Sequence, residues 1–427
     1  MAGADLRRDG RVLVATRGIR GFVDGAVSVA LAGYLTLLGW SAAKIGVLVT
    51  GMLLGSAAVT LLVGLRGHHV ARRTIMSAGA VVMVATGAVY TSTTVFAVLL
   101  VVGVLGTMNP TSGDVSVFLP MEQSLLPLTV ADRERTSMFA RYAFVGSLFG
   151  ALGSLAAGLP EGLADRTTVG SRDALRGLFV MYAVAGVAVL LLYRSLSPAI
   201  EPADAAPAVA LGPSRRIAHR LAFVFSLDAF GGGFVVQSLL ALWLFRRFDL
   251  SIGAAGALLF WTGVCSAFSA FVSARVARRI GLIRTMVFTH MPANVFLVLA
   301  ALMPNLPLAV TFLVLRSLLS AMDVPARNSY VMAVVSPPER AAAASVTAVP
   351  RSLASALPPL AAGWMLDRST FGWPLIIAGS LKFAYDALLL VMFRNVRPPE
   401  EQHPPGAPPL TPDGRDDAVS RGGRRSA

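Results

Sequence analysis

The sequence predicts an all-α membrane protein of twelve transmembrane helices in two pseudo-symmetric six-helix halves. Three observations predict it: a charge-poor composition, twelve apolar stretches of spanning length, and motifs that recur about 205 residues apart. Of 427 residues, 55% are hydrophobic and 14% charged, with mean hydropathy +0.68. Soluble globular chains carry about 25% charged residues, so this deficit puts the chain in the membrane class. A formal charge of +14 would point to nucleic acid in a soluble protein. Here the bases flank apolar spans, as expected of cytoplasmic loops, and no nucleic-acid partner is expected.

A spanning helix needs about 20 mostly apolar residues. The stretches are 18–38, 45–65, 74–90, 94–118, 137–158, 175–193, 221–244, 252–274, 285–303, 308–335, 341–366 and 374–393. Connections as short as Thr91-Ser92-Thr93 and Pro304-Asn305-Leu306-Pro307 make successive spans antiparallel neighbours. The expected organisation is a cytoplasmic segment 1–17, an amino-terminal half 18–193, a linker 194–220, a carboxy-terminal half 221–393 and a tail 394–427. The linker carries Pro198, Pro202, Pro207 and Pro213, and the tail is rich in Pro, Gly and charge, a composition of disorder. Residues 1–17 mix Arg7, Arg8, Arg11 and Arg17 with Asp5 and Asp9, and the apolar run that follows them is a full-length span, so that run reads as a retained first helix rather than part of a signal peptide.

About 24 of the Lys and Arg residues fall on the amino-terminal side and about seven on the other, which puts both termini and the linker in the cytoplasm. Loop 8–9 alone has Arg275, Arg278, Arg279 and Arg284. The expected location is the inner (plasma) membrane.

The halves repeat. Glu134 in Ala131-Asp132-Arg133-Glu134-Arg135-Thr136 matches Glu339 in Ser336-Pro337-Pro338-Glu339-Arg340-Ala341, and Gly158 matches Gly363. Asp24 in span 1 corresponds to Asp228 in span 7, and Met108-Asn109 in span 4 to Met322-Asp323 in span 10. Parallel six-helix repeats about an axis along the membrane normal are a known transporter architecture.

On these features the chain resembles the major facilitator superfamily over roughly residues 17–394. Gly64-Leu65-Arg66-Gly67-His68-His69-Val70-Ala71-Arg72-Arg73 is similar to that family's loop 2–3 signature G-x-L-A-D-R-x-G-R-R, with His68 where the acid stands. Ala274 to Gly281 is the second-half version, again without the acid. The helix 4 arginine of proton-coupled members is replaced near Val102 or Gly103, whereas the related place in span 10 holds Arg316. Gly146, Gly150 and Gly153 resemble the antiporter motif of span 5 without its proline, a pattern that also serves close helix packing. The resemblance implies a monomeric secondary transporter that moves a small solute by alternating access, gradient- or proton-coupled, with export favoured over import. It implies no enzyme activity and no cofactor.

Ionisable groups in the bilayer cost at least about 2.5–3.5 kcal/mol at its centre, so each needs a partner, water or a function. The spans hold Arg20, Asp24, Asp114, Glu122, Arg141, Asp228, Arg316, Asp323, Arg327, Arg351, Lys382 and Asp386. At 1.5 Å per residue, Asp24 and Asp228 lie ~9–10 Å inside the cytoplasmic face, and Asp323 lies ~22 Å from the outer end of its span, in the same third. Asn109 lies at a comparable level. Arg20 with Asp24, and Arg327 with Asp323, are at i, i+4 spacing on one helix face. This tier can bind substrate, carry a coupling proton or lock the inner mouth. Arg351, beside Pro350 near mid-membrane, suits an anionic group, and Gln237 is a neutral contact beyond the Gly231-Gly232-Gly233 hinge. Lys382 and Asp386 read as a self-neutralising pair. The candidate substrate or coupling residues are therefore Arg20, Asp24, Asn109, Asp114, Asp228, Gln237, Arg316, Asp323, Arg327 and Arg351.

Cys265 is the single cysteine, so no internal disulfide forms; with His290 it is the only soft ligand in a span, and no metal site is expected. No G-x-x-x-x-G-K-[ST] loop for an ATP-driven pump occurs. The intramembrane arginines favour an organic anion or zwitterion as solute. A drug-efflux antiporter is the alternative, and a non-transporting sensor or scaffold of the same fold is the alternative from another class. Reporter fusions in loop 2–3, in 194–220, in loop 8–9 and after Arg394 are expected to report cytoplasm, and fusions in 160–173 and 367–372 the outside. A periplasmic signal from the linker would reverse the orientation.

Overall fold

The computed structural model describes residues 2–66, 70–111, 118–131, 134–201, 211–336 and 339–396. Asp114 and residues 397–427 of the tail, whose disorder the composition predicts, lie outside these. Seventeen α-helices and no strand occur among the described residues, and they trace the twelve expected spans.

Seven spans are single helices: α1 (Ala2–Leu37), α2 (Ala42–Arg66) and α3 (Arg72–Ser92) in the first half are followed later by unbroken spans 6, 8, 9 and 12. Span 4 is cut into α4 (Phe96–Leu105) and α5 (Phe118–Leu125). Spans 5 and 6 are α6 (Arg135–Ala156), followed by the short α7 (Leu159–Arg166), and α8 (Ser171–Arg194). Span 7 is α9 (Arg215–Gly233) plus α10 (Gln237–Phe248); spans 8 and 9 are α11 (Ile252–Ile280) and α12 (Leu282–Leu302). Span 10 divides into α13 (Leu306–Ser320) and α14 (Asp323–Val334), span 11 into α15 (Arg340–Ala356) and α16 (Pro358–Arg368), and α17 (Trp373–Phe393) closes the bundle. Among the described residues nine helical stretches are long and apolar enough to cross a membrane by length and composition. The other three expected spans fall short for local reasons. Arg20 and Asp24 dilute α1, Gly106 ends α4, and α15 stops before Leu357.

The first helix departs from expectation. It begins at Ala2, not near Gly18, because no proline or turn signal separates residues 1–17 from the span. Span 4, expected over 94–118 with an interruption at Asn109-Pro110, is indeed broken. The Asn109 side chain accepts from the Thr111 N–H (2.8 Å) and hydroxyl (2.6 Å), an Asx turn that competes with the helix ahead of Pro110. The Gly231–Gly233 run ends α9, as its composition predicts, and Gly233 lets the chain pass the Ser355 carbonyl, 2.4 Å from where a Cβ would sit. The Pro358-Pro359 pair breaks span 11, as prolines inside a span are expected to, whereas Pro350 is carried inside α15, so there is no break beside Arg351.

Caps set the turns. Ser251 accepts from the Ala254 N–H and Asn305 from the Leu308 N–H, each an N-cap. Gly281 (φ 88°) joins α11 to α12 in a conformation that suits glycine. Loop 2–3 lacks its family acid, yet Glu201 accepts from the Arg72 and Arg73 N–H groups (3.0 and 2.9 Å), supplying a carboxylate to the start of α3 from beyond span 6. Glu339 does the same for the entry to α9, accepting from Gly212 and Ser214 N–H; the Ser214 hydroxyl first, then these amides, hold its carboxyl below the usual range.

Glycines bring α1 and α6 together along a seam. A Cβ on Gly25 would lie 2.0 Å from the Gly150 carbonyl oxygen, and one on Gly153 would lie 1.8 Å from that of Phe22. The glycine pattern of span 5 is thus used for backbone approach, as in other membrane helix pairs. Gly25→Ala is expected to lower stability by about 1–3 kcal/mol through overpacking. Gly177→Ala, on α8 with nothing within 4 Å of the new methyl, should leave it unchanged or raise it by up to about 1 kcal/mol. Thermal unfolding of the two purified variants in detergent checks both, and equal melting would refute the seam.

Candidate functional site

Two buried ionic nodes lie in the third of the bundle nearest the termini. The first is built on Glu122 of α5, which is fully buried. Arg20 of α1 pairs with it, Thr16 of α1 and Tyr193 of α8 donate to it (2.7 Å each), and Tyr142 of α6 donates as well. The Arg20 guanidinium also lies over the Phe118 ring, 4.4 Å from its centre. One carboxylate therefore gathers side chains from α1, α5, α6 and α8, with its lone pairs occupied by donors.

This corrects the expectation that Arg20 pairs with Asp24. The i, i+4 spacing makes that pair available, but Glu122 arrives with three hydroxyl donors around it, and Arg20 joins the better-solvated anion. Asp24 is 5% exposed and makes no hydrogen bond or ion pair among the described residues.

The second node joins α9, α12, α14 and α17. Asp228 of α9 accepts from Lys382 (2.5 Å) and from Arg327 (3.2 Å), and Arg327 also reaches Asp323 at 3.2 Å. His290 of α12 places Nδ1 3.0 Å from Asp386 and Nε2 3.8 Å from Asp228. Asn294 donates to Asp386 at 2.9 Å. The i, i+4 pairing of Arg327 with Asp323 is present, but shared. The self-neutralising Lys382–Asp386 pair is absent: Lys382 turns to Asp228, and Asp386 to His290 and Asn294. Asp228, which has no basic partner in its own helix, finds two across helix boundaries. Three carboxylates face Arg327 and Lys382, and a doubly protonated His290 would bring the set to neutrality.

The nodes are related by the repeat with their charges exchanged. Glu122 stands 205 residues before Arg327, and Arg20 the same distance before Phe225. Arg20 lies over Phe118 in one half, while Arg327 lies over Phe225, 5.5 Å away, in the other. Asp24 occupies the place of Asp228, but the position that holds Arg327 in the second half holds an acid in the first. The partner that Asp228 enjoys is thereby missing for Asp24.

The remaining candidates are dispersed. Arg316 lies ~15 Å along span 10 from Leu306. It is half-buried, its Nε meets no acceptor, and it makes no ion pair among the described residues. Arg351 is exposed on α15 and acts electrostatically on Asp228. Asn109 is engaged in its own turn. Gln237 donates to Ser154 (2.8 Å) of the opposite half, so it ties the halves together. Sequence reasoning passes over Glu122, His290, Asn294, Lys382 and Asp386 as site members. The signal for Glu122 was its repeat offset from Arg327; for His290 and Asn294 it was their i, i+4 spacing in an apolar helix.

The halves meet through matched contacts at the end opposite the termini. Asp367 accepts from the Ala42 and Ala43 N–H groups (2.7 and 2.8 Å) at the start of α2. Glu161 accepts from Ile252 and Gly253 (3.3 and 2.8 Å) at the start of α11. Each carboxylate caps a helix of the other half, where the helix dipole favours it. Gly46 against Gly363, and Gly158 against Gly253, allow the backbones to cross closely beside these caps.

A family model described as Major Facilitator Superfamily matches residues 13–288 and 221–422. An uncharacterized membrane protein of Saccharomyces cerevisiae, YJR124C, is 25% identical over 424 residues, covering 91% of this chain and 95% of that protein. Among solved structures, the nucleoside transporter NupG is similar with TM-score 0.70 at 14% identity, covering 90% of this chain and 99% of that one. A bacterial homologue of the iron transporter ferroportin in the inward-facing state gives 0.69 at 14% identity, with 90% and 98% covered. The human organic anion transporter MFSD10 (TETRAN) gives 0.61 at 17%, with 90% and 99% covered. At these identities the structural likeness shows the fold.

Asp228→Asn leaves Lys382 buried beside a neutral amide and is expected to cost about 3–5 kcal/mol. Asp228→Asn with Lys382→Met removes both charges and should recover most of that loss. Thermal unfolding of the two variants checks the pairing, and no recovery in the double variant would contradict it.

Proposed function

The chain belongs to the Major Facilitator Superfamily, and from that premise we propose a secondary transporter that moves a small organic anion or zwitterion by alternating access, driven by protons. One observation carries this reading: of the charges that the two nodes could neutralise, Asp24 and Arg316 are left over. A buried carboxylate with no hydrogen bond or ion pair of its own, on which Arg20 and Arg17 act only through space, is costly until a proton or a cation neutralises it, so Asp24 suits the coupling step. A half-buried guanidinium near mid-membrane with no acid bound to it is a ready partner for a solute carboxylate or phosphate. The paired nodes then serve as rigid supports, and the solute path runs between the halves, past the breaks in spans 4, 7 and 10. Half-helix ends at such breaks offer free N–H and C=O groups to a solute.

In this reading residues 18–193 and 221–393 are the two moving bodies, 194–220 is their cytoplasmic connection, and both termini face the cytoplasm. The carboxylate caps at the opposite end hold the outer side shut, which favours access from the inside.

Proteoliposomes with an imposed proton gradient test the reading, after a thermal-stabilisation screen of organic acids has supplied a solute. Asp24→Asn should melt within about 1 kcal/mol of wild type, against the 3–5 kcal/mol of a broken pair, because Arg20 keeps Glu122. It should lose proton-driven uphill accumulation and keep solute exchange. Wild-type accumulation in this variant would remove Asp24 from the coupling step. Absence of any flux in the wild type, with every solute that stabilises it, would favour a non-transporting scaffold.

A further inference from the structure

A groove of about 370 Å³ runs between α1 and α6 near the end that bears the termini. Its walls divide by chemistry along its length. Arg11 and Arg141 stand at the end nearer the termini, while Val14, Ile19, Val145 and Phe149 continue it toward the bilayer centre. Gly18 forms its floor. Lacking a side chain, it lets the Val145 and Phe149 side chains approach to 3.1 and 3.7 Å of where a Cβ would be.

The two arginines are exposed and make no hydrogen bond or ion pair among the described residues. Asp9, the acid two positions from Arg11, is no counter-ion for them: it is 1% exposed and accepts from the Ser197 N–H at 3.1 Å. Arg7 and Arg8 are exposed as well, one turn further out on α1. Arg11 and Arg141, with Arg7 and Arg8 beyond them, thus place four cations at the end of an apolar trough nearer the termini, around where spans 1 and 5 are expected to begin.

We infer that this groove holds an anionic phospholipid of the surrounding bilayer. The phosphate sits on Arg11 and Arg141, with Arg7 and Arg8 adding attraction from beyond, and one acyl chain lies along Ile19, Val145 and Phe149. The occupant follows from complementarity. The groove is polar and positive at one end and apolar at the other, and basic pockets between membrane helices hold anionic headgroups for this reason. A free anion would satisfy the arginines but leave the trough uncovered; a zwitterionic lipid would fill the trough but bring its own cation to the arginines. The lipid would brace α1 against α6, the seam on which Arg20 and Asp24 are carried. The inference is independent of which solute is moved and in which direction.

The test uses the purified full-length protein in detergent, titrated with phosphatidylglycerol, phosphatidylcholine or glycerol phosphate while its melting is followed. Phosphatidylglycerol should raise the melting temperature, and the other two should not. Arg11→Gln with Arg141→Gln should weaken the response about 25-fold, at about fivefold for each arginine near an anionic headgroup. Arg278→Gln with Arg279→Gln, which removes equal charge from an exposed stretch of α11, should respond as wild type does. Native mass spectrometry of the wild type, expected to retain phosphatidylglycerol over phosphatidylcholine, gives a readout that needs no variant. An unchanged response in Arg11→Gln/Arg141→Gln overturns the proposal. So does an equal loss in Arg278→Gln/Arg279→Gln, which would mean bulk attraction alone. An equal response to glycerol phosphate would make the site one for free anions and not for lipid.

Discussion

A charge cannot lie in a bilayer without compensation, and much of this molecule is arranged around that constraint. In the first half the constraint is met at Glu122, which draws Arg20, Thr16, Tyr142 and Tyr193 from three other helices. In the second half it is met at Asp228, where Lys382 and Arg327 converge and Asp323, His290 and Asp386 extend the network. Hydrophobic burial gives helices little reason to prefer one another inside lipid, because the tails are as apolar as leucine. Ion pairs and backbone contact at glycine supply the specificity that burial does not. Each node therefore sets which helices of its half are neighbours and at what depth they meet.

The two halves solve the same problem with opposite signs. Glu122, on the α5 segment of span 4, gives way to Arg327 on span 10 one repeat spacing later, while Arg20 on span 1 gives way to Phe225 and the acid of span 7, Asp228, stands at the place of Asp24. Such an exchange preserves the pair while changing what is left over. It strands Asp24, whose counterpart Asp228 is doubly paired. An internal repeat can in this way keep its architecture and still leave one carboxylate without a direct partner.

Between the halves the forces are of another kind. Asp367 and Glu161 each cap a helix start across the interface, and Gln237 reaches Ser154. These polar contacts and glycine crossings lie beside a buried apolar cluster that α1 and α2 share with α10 and α16, where the interior of each half is held in addition by buried ion pairs. Contacts of that kind can be exchanged for water more cheaply than a buried pair can be broken.

Hydropathy, loop length and repeat spacing were enough to read the helical class, the spans and their order from the sequence. Those properties follow from the bilayer, which demands a certain apolar length and satisfied backbone wherever the chain crosses it. The breaks at Asn109-Pro110 and after Gly231-Gly232-Gly233 were equally legible, since they depend on neighbours in the chain. Partner choice was not. Arg20 had Asp24 one turn away, and Lys382 had Asp386, yet each left its local partner for one on another helix. A guanidinium or ammonium in low dielectric goes to the carboxylate that other donors have already stabilised, and which one that is depends on how the helices pack. Asp24 appeared in the sequence as half of a pair; only the tertiary structure decided that it makes no direct ion pair, because its neighbour's guanidinium was claimed by Glu122, 102 residues away from Arg20.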